Sequence, residues 1–204
     1  MAGRERARTP APFGADAMIW PMNDPSALTS LCTLGLGGYQ AAAVSIAMVD
    51  AEGLHYVAAA GAGADKIVGT RMTAGRGIAG FVAASGQSLI VRDVISDPRF
   101  ARDVGERTGY VPSAIQCLPV LDDEGEVVAV VSILDRQRTD SSDAAGGPAM
   151  STAAFTEVAA ALLSSVPTEG GQLATATARL DRLPAADKAR ALGVIDTLLD
   201  AMER

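Results

Sequence analysis

The sequence predicts an α+β fold: five to six strands, two hairpins among them, flanked by helices and followed by a C-terminal helical extension. Three observations predict it. Two pairs of apolar runs are each joined by a short turn with acidic residues before a glycine, Ala51-Glu52-Gly53 and Asp122-Asp123-Glu124-Gly125, which is hairpin chemistry. The run VVAVVSIL within Glu126–Leu134 is almost wholly apolar. A half-exposed strand would alternate, so this strand is expected to be central and covered on both faces. The segments before, between and after the hairpins carry apolar residues at three-four spacing, the helical period.

Composition supports a packed globular chain. Of 204 residues, 49% are hydrophobic and 20% charged, enough to bury a sizeable core without disulfides. Aromatic residues are only 4%, so the core must be built from Ala, Val, Leu and Ile. The formal net charge of -7 argues against nucleic-acid binding, which needs a basic face. The two cysteines, Cys32 and Cys117, match no metal or redox spacing, and their low number suggests a reducing cytoplasm. His55 is the only histidine, so no His-Cys metal cluster is available. Arg4, Arg6 and Arg8 are followed by no continuous apolar segment, a poor signal peptide. No apolar run approaches the roughly 20 residues of a membrane span. A soluble, cytoplasmic protein is expected.

In chain order, residues 1–23 hold Arg, Pro, Ala and Gly with little periodicity and are expected to be a flexible tail. Trp20 within it is read as packing onto the domain edge, with a docking anchor as the alternative. Asp24-Pro25 is a helix start, Asp as N-cap and Pro at the first helical position. Leu28, Leu31, Cys32 and Gly35 share one face, and Gly35, Gly37 and Gly38 are expected to end the helix. Cys32 is thereby a core residue. Val44–Val49 and Leu54–Ala59 form the first hairpin. Gly61–Asp65 is expected to be a loop, and Lys66–Met72 an edge strand or irregular structure.

Ile78–Ala84 is a short helix with Ile78, Phe81 and Val82 on one face, closed by Ser85-Gly86. The preceding Gly75-Arg76-Gly77 could present N–H groups to a phosphate. It lacks both the dinucleotide fingerprint and the Lys-Ser/Thr of a P-loop, so a structural role is the stronger reading. Ser88–Val91 is a strand, and a polar loop with Asp93 and Asp97 leads to Phe100. The segment Phe100–Pro112 reads either as a solvated helix or loop, or as a mobile cover over a pocket. Ala114–Val120 is a strand, broken late by Pro119, and it pairs through the acidic turn with Glu126–Leu134. Gln137–Pro148 is a linker. Ser151 caps a helix to Val166, with Phe155, Val158, Ala159 and Leu162 on its stripe. Two further amphipathic stretches, Gln172–Leu183 and Ala185–Met202, are interrupted by Pro184. They suit a bundle or short coiled coil, or packing back onto the domain.

The successive segments AAAVSIAMVDAEGLHYVAAAG, AGRGIAGFVAASGQSLIVRDVISDPRF and SAIQCLPVLDDEGEVVAVVSILDR resemble a GAF domain in order and spacing. The resemblance covers residues 24–166, leaving 1–23 as a tail and 167–204 as a C-terminal extension. It implies a central antiparallel sheet with helices on one face and a ligand pocket on the other, and dimer contacts through terminal helices. By the family's layout the pocket candidates are Ile46, Met48, Phe81, Val94, Phe100, Tyr110, Cys117 and Ser132. Apolar walls with a few polar groups suit such a site. The competing reading of each is a plain core position.

Three functions are weighed. The first is a non-enzymatic sensor or regulatory protein that binds an unknown small molecule and signals through a homodimer or a protein partner. The second is a ligand-free dimerisation or scaffold module. The third is a thiol-based reductase, since free methionine sulfoxide reductases share the GAF fold. Here Cys117 lies in a candidate pocket strand but Cys32 is expected on the opposite face, too far for a two-thiol cycle. Cyclic-nucleotide-binding members carry an Asn-Lys pair and a Phe followed by an Asp-Glu pair. Phe100 and Asp103 are present and the two pairs are missing. Haem would need His55 as axial ligand, and a surface or edge His is the stronger reading. A bilin on Cys117 has no supporting motif. The cofactor is left unknown.

Overall fold

A computed structural model describes residues 25–137, 151–164 and 179–202. Trp20, the Asp24 cap, most of the 137–148 linker, the end of the helix at Val166 and most of the 172–183 stretch lie outside these residues.

Helix α1, Pro25–Tyr39, leads into the hairpin β1, Ala43–Asp50, and β2, Gly53–Gly61. A single turn α2, Ala64–Ile67, and a short β3, Arg71–Thr73, follow, then α3, Gly77–Ser85, and β4, Leu89–Val91. Helix α4, Arg102–Thr108, precedes the second hairpin β5, Ile115–Leu121, and β6, Val127–Leu134. Helix α5 is Thr152–Ser164, and α6, the last, is Ala185–Met202. The strands form one antiparallel six-stranded sheet in the order β3-β2-β1-β6-β5-β4. The two hairpins pack side by side, so β1 and β6 are central, as the apolar run VVAVVSIL requires.

The hairpin turns are closed by aspartates. Asp50 Oδ1 accepts from the backbone N–H of Glu52 and Gly53 at 2.8 and 3.0 Å. Asp122 Oδ1 accepts from Glu124 and Glu126 at 3.0 and 2.8 Å. Gly53 has φ 136°, and a Cβ there would lie 2.2 Å from the Met72 carbonyl oxygen, so no other residue fits. At the far end, the Ser151 hydroxyl accepts from the Ala154 N–H at 3.1 Å, the expected cap of α5.

Two expected boundaries move. Helix α1 does not stop at Gly35 but runs through its glycines to Tyr39. Gly35 is an interior residue whose lack of a side chain admits α5: a Cβ there would stand 2.7 Å from the Phe155 ring. Strand β5 is not broken by Pro119, which pairs with Val130 on β6. On its other side β5 is covered by β4 only at Ile115–Cys117, so the missing N–H of Pro119 faces no strand.

The sheet separates two cores. On one face α1, α5, Leu180 and Ala191 of α6 cover Val44, Ile46, Leu118, Val120, Val131 and Ile133. On the other, α3 and the segments around Val94 and Val104 cover Ala47, Leu54, Tyr56, Cys117 and Val130. A bulge between Ile46 and Ala47 leaves Val57 unpaired and reverses the sidedness of β2. Tyr56 thereby joins the second face while Ala58 joins the first.

Candidate ligand cavity

A cavity of about 100 Å³ lies on the second face. Its floor is the sheet: Ser45, Tyr56, Ile115, Ser132 and Leu134. Its walls are Gly77, Ile78 and Ala79 at the start of α3, Met72 of β3, and Gly63 and Ile67 around α2. Phe100, Ala101, Val104, Gly105, Thr108, Tyr110 and Pro112 close it. The Phe100–Pro112 segment is thus a cover, built around α4.

The cover is held at several points. Tyr110 donates from its hydroxyl to Asp135, whose other oxygen accepts from the Ser113 and Ala114 N–H at 2.9 and 2.7 Å. Burial, then this bond, pushes the Tyr110 hydroxyl up to about 12. Arg76, just before α3, pairs with Asp103 of α4 at 2.6 Å. Gly105 is where the cover packs most closely on itself: a Cβ there would meet the Phe100 ring at 3.1 Å and the Val111 side chain at 3.3 Å. The loop before the cover is tied by Arg99, which donates to both carboxylate oxygens of Asp97 at 2.9 and 2.6 Å.

Three of the eight expected pocket residues, Phe100, Tyr110 and Ser132, line this cavity. The other five do not. Ile46 and Met48 belong to the opposite core, because alternate residues of a strand point to opposite faces and the cavity side of β1 is Ser45 and Ala47. Phe81 points outward, 39% exposed, with the Arg99 guanidinium 4.8 Å above its ring. Val94 and Cys117 are fully buried in the second core outside the cavity lining. Cys117 stands directly behind it: its sulfur is 3.4 Å from the Ser132 hydroxyl oxygen. Ser45, Tyr56, Ile78 and Thr108 went unrecognised. The available signal was register: once Ser132 is set on the cavity face, its cross-strand partners Cys117 and Ser45 must share that face.

Cys32 is buried against the helices, in the core opposite Cys117. Burial pushes both thiols up to about 12; for Cys117 the Ser132 contact opposes this only in part. His55 lies in β2, paired with Met48 and Arg71, and is not among the residues lining the cavity. Among the described residues no helix is long and apolar enough to cross a membrane.

The family model described as the GAF domain matches residues 31–166. A dual cyclic-AMP and cyclic-GMP phosphodiesterase 11 of Drosophila melanogaster is 36% identical over 66 residues, 32% of this chain and 4% of that protein. A probable cyclic phosphodiesterase of Caenorhabditis elegans is 38% identical over 66 residues, 32% of this chain and 9% of that protein. The match thus spans less than a tenth of the length of these relatives. Among solved structures, the GAF domain of a phosphoenolpyruvate-protein phosphotransferase from Coxiella burnetii is 20% identical with a TM-score of 0.48, over 55% of this chain and 67% of that one. A type II free methionine-R-sulfoxide reductase from Thermoplasma acidophilum is 18% identical with a TM-score of 0.49, over 68% of this chain and 91% of that one.

Proposed function

The chain belongs to the GAF domain family, and from that premise we propose that it is a non-enzymatic cytoplasmic sensor. It takes a small molecule into the cavity under α4 and passes the signal through a homodimer or a protein partner. The family occurs within regulatory enzymes such as the phosphodiesterases it resembles. The observation that carries the proposal is the cavity itself, bounded by the sheet, α3 and a cover that bridges back to the end of β6 through Tyr110 and Asp135. Filling it would bias the position of α4 against the sheet, and the sheet's other face carries the terminal helices. On that layer Leu34 and Leu192 stand 41% and 40% exposed, which suits contact with a second copy.

A thiol reductase is the weaker reading. Its nucleophile would be a thiolate, and both thiols sit where burial opposes ionisation. The cyclic nucleotides named for the phosphodiesterase relatives are also a poor fit, because among the described residues no charged side chain lines the cavity to meet a phosphate.

Native and denatured mass spectra of the purified protein test the sensor reading. The expected result is an extra non-covalent mass on each subunit of a dimer, absent in the cavity-filling variant Val104→Phe. A native mass equal to the polypeptide alone, with partner binding unchanged by Val104→Phe, would favour the ligand-free scaffold.

A further inference from the structure

Resting on the reading of the cavity as a ligand site, we propose that its ligand is a small uncharged molecule. It presents a hydrogen-bonding oxygen or amide to the sheet and an apolar body to the helices. Two hydroxyls carry the inference. Ser45 and Tyr56 are each 7% exposed, and both line the cavity. The neighbouring hydroxyls are engaged: Ser132 with the Cys117 sulfur at 3.4 Å, Thr108 donating to the Gly105 carbonyl at 3.0 Å, and Tyr110 donating to Asp135. Among the described residues the Ser45 and Tyr56 hydroxyls form no hydrogen bond.

Neither hydroxyl oxygen is among the fully buried, unpartnered side-chain atoms of the described residues, so both open onto the cavity. A ligand group there that cannot replace the hydrogen bonds of displaced water would lose affinity, and one that can is favoured. The two are placed to act together. Tyr56 pairs with Ala47, two residues along β1 from Ser45 on the same face, so they are diagonal neighbours. Their sites can serve one carbonyl, hydroxyl or amide at the floor. Among the described residues the side chains around them are apolar or hydroxylic and none is charged, so an ion entering would lose hydration with no opposite side-chain charge from them in return. The about 100 Å³ of space is smaller than the about 150 Å³ cavity known to admit benzene, so it encloses part of a ring or a short chain and the rest of a ring-sized ligand lies in the open mouth of the cavity.

Three probes of one shape test the charge: benzamide, the benzoate anion and the benzamidine cation, measured by saturation-transfer NMR on the whole chain at neutral pH. Benzoate is the stringent control, because the α3 N-terminus borders the cavity at Gly77 and favours negative charge. Benzamide is expected to bind, to weaken about fivefold in Ser45→Ala and in Tyr56→Phe, and to be lost in Val104→Phe. The charged probes are expected to bind at least about tenfold more weakly. Either ion binding as tightly as benzamide in a Val104→Phe-sensitive manner overturns the uncharged class and leaves the sensor reading standing. So does benzamide binding that both hydroxyl variants retain. No binding of any probe to the wild-type chain also overturns the inference, while the sensor reading is judged separately by the native mass.

Discussion

Cys117 and Cys32 show how position overrides residue type. Each is a free thiol at 0% exposure, one on each side of the sheet, and burial pushes both up to about 12. Neither is expected to react with a disulfide reagent at pH 8 in the folded protein, and both should react once denaturant is added. A fast-reacting native thiol, measured by the thiolate released, would contradict the packing of its core. Asp97 behaves oppositely. Its hydrogen bonds to the Arg99 side chain hold its carboxyl down, at about 2. The unfolded value is near ~3.9, so the contribution is complete above that pH and is lost as pH falls through about 2. Melting temperature followed from pH 5 to pH 2 should therefore fall less steeply in Asp97→Asn than in the wild type. Parallel slopes would mean the pair contributes nothing.

At the scale of elements, the glycines of α1 separate helix propensity from packing. Gly35 is buried, and an added Cβ would lie 2.7 Å from the Phe155 ring, itself held at 1% exposure. Gly37 is exposed and nothing lies within 4 Å of its added Cβ. Gly37→Ala should stabilise by about 0.5–1 kcal/mol through propensity alone. Gly35→Ala gains the same propensity but overpacks, and should destabilise by about 1 kcal/mol net. Chemical denaturation of the two variants decides it; equal effects would mean that α5 yields freely. Both strand pairs of the hairpins and α3 were legible in the sequence, because turn chemistry and periodicity are local. The path of α1 beyond Gly35 was not legible, since a run of glycines reads as a stop unless a neighbour needs the space. Pro119 inside β5 was equally opaque, because only strand order reveals that its missing donor faces no partner.

Over the whole molecule, Arg179 joins the C-terminal segment to the sheet. It is 2% exposed, donates to the Leu121 carbonyl at 2.9 Å, and reaches Asp123 and Glu157 at 3.3 and 3.6 Å. One cation thereby bridges β5, the β5–β6 turn and α5. Next to it Leu180 is 1% exposed in the helix-side core. Arg179→Ala should cost roughly 3 kcal/mol, because it strips the pairing from a mostly buried Glu157. A change below about 0.5 kcal/mol in denaturant unfolding would show the segment to be a passive passenger. The sequence by itself determined the elements, the hairpin pairing and the family-like order that implies a pocket. Those features depend on period, turn residues and neighbours a few positions away. Tertiary structure alone decided which side of β1 meets the cavity, that Phe81 turns outward beneath Arg99, and that Ser45 and Tyr56 end as unpartnered hydroxyls on its floor. A one-residue bulge and a cross-strand register set those outcomes, and in a strand one residue is the difference between facing the helix-side core and facing the cavity.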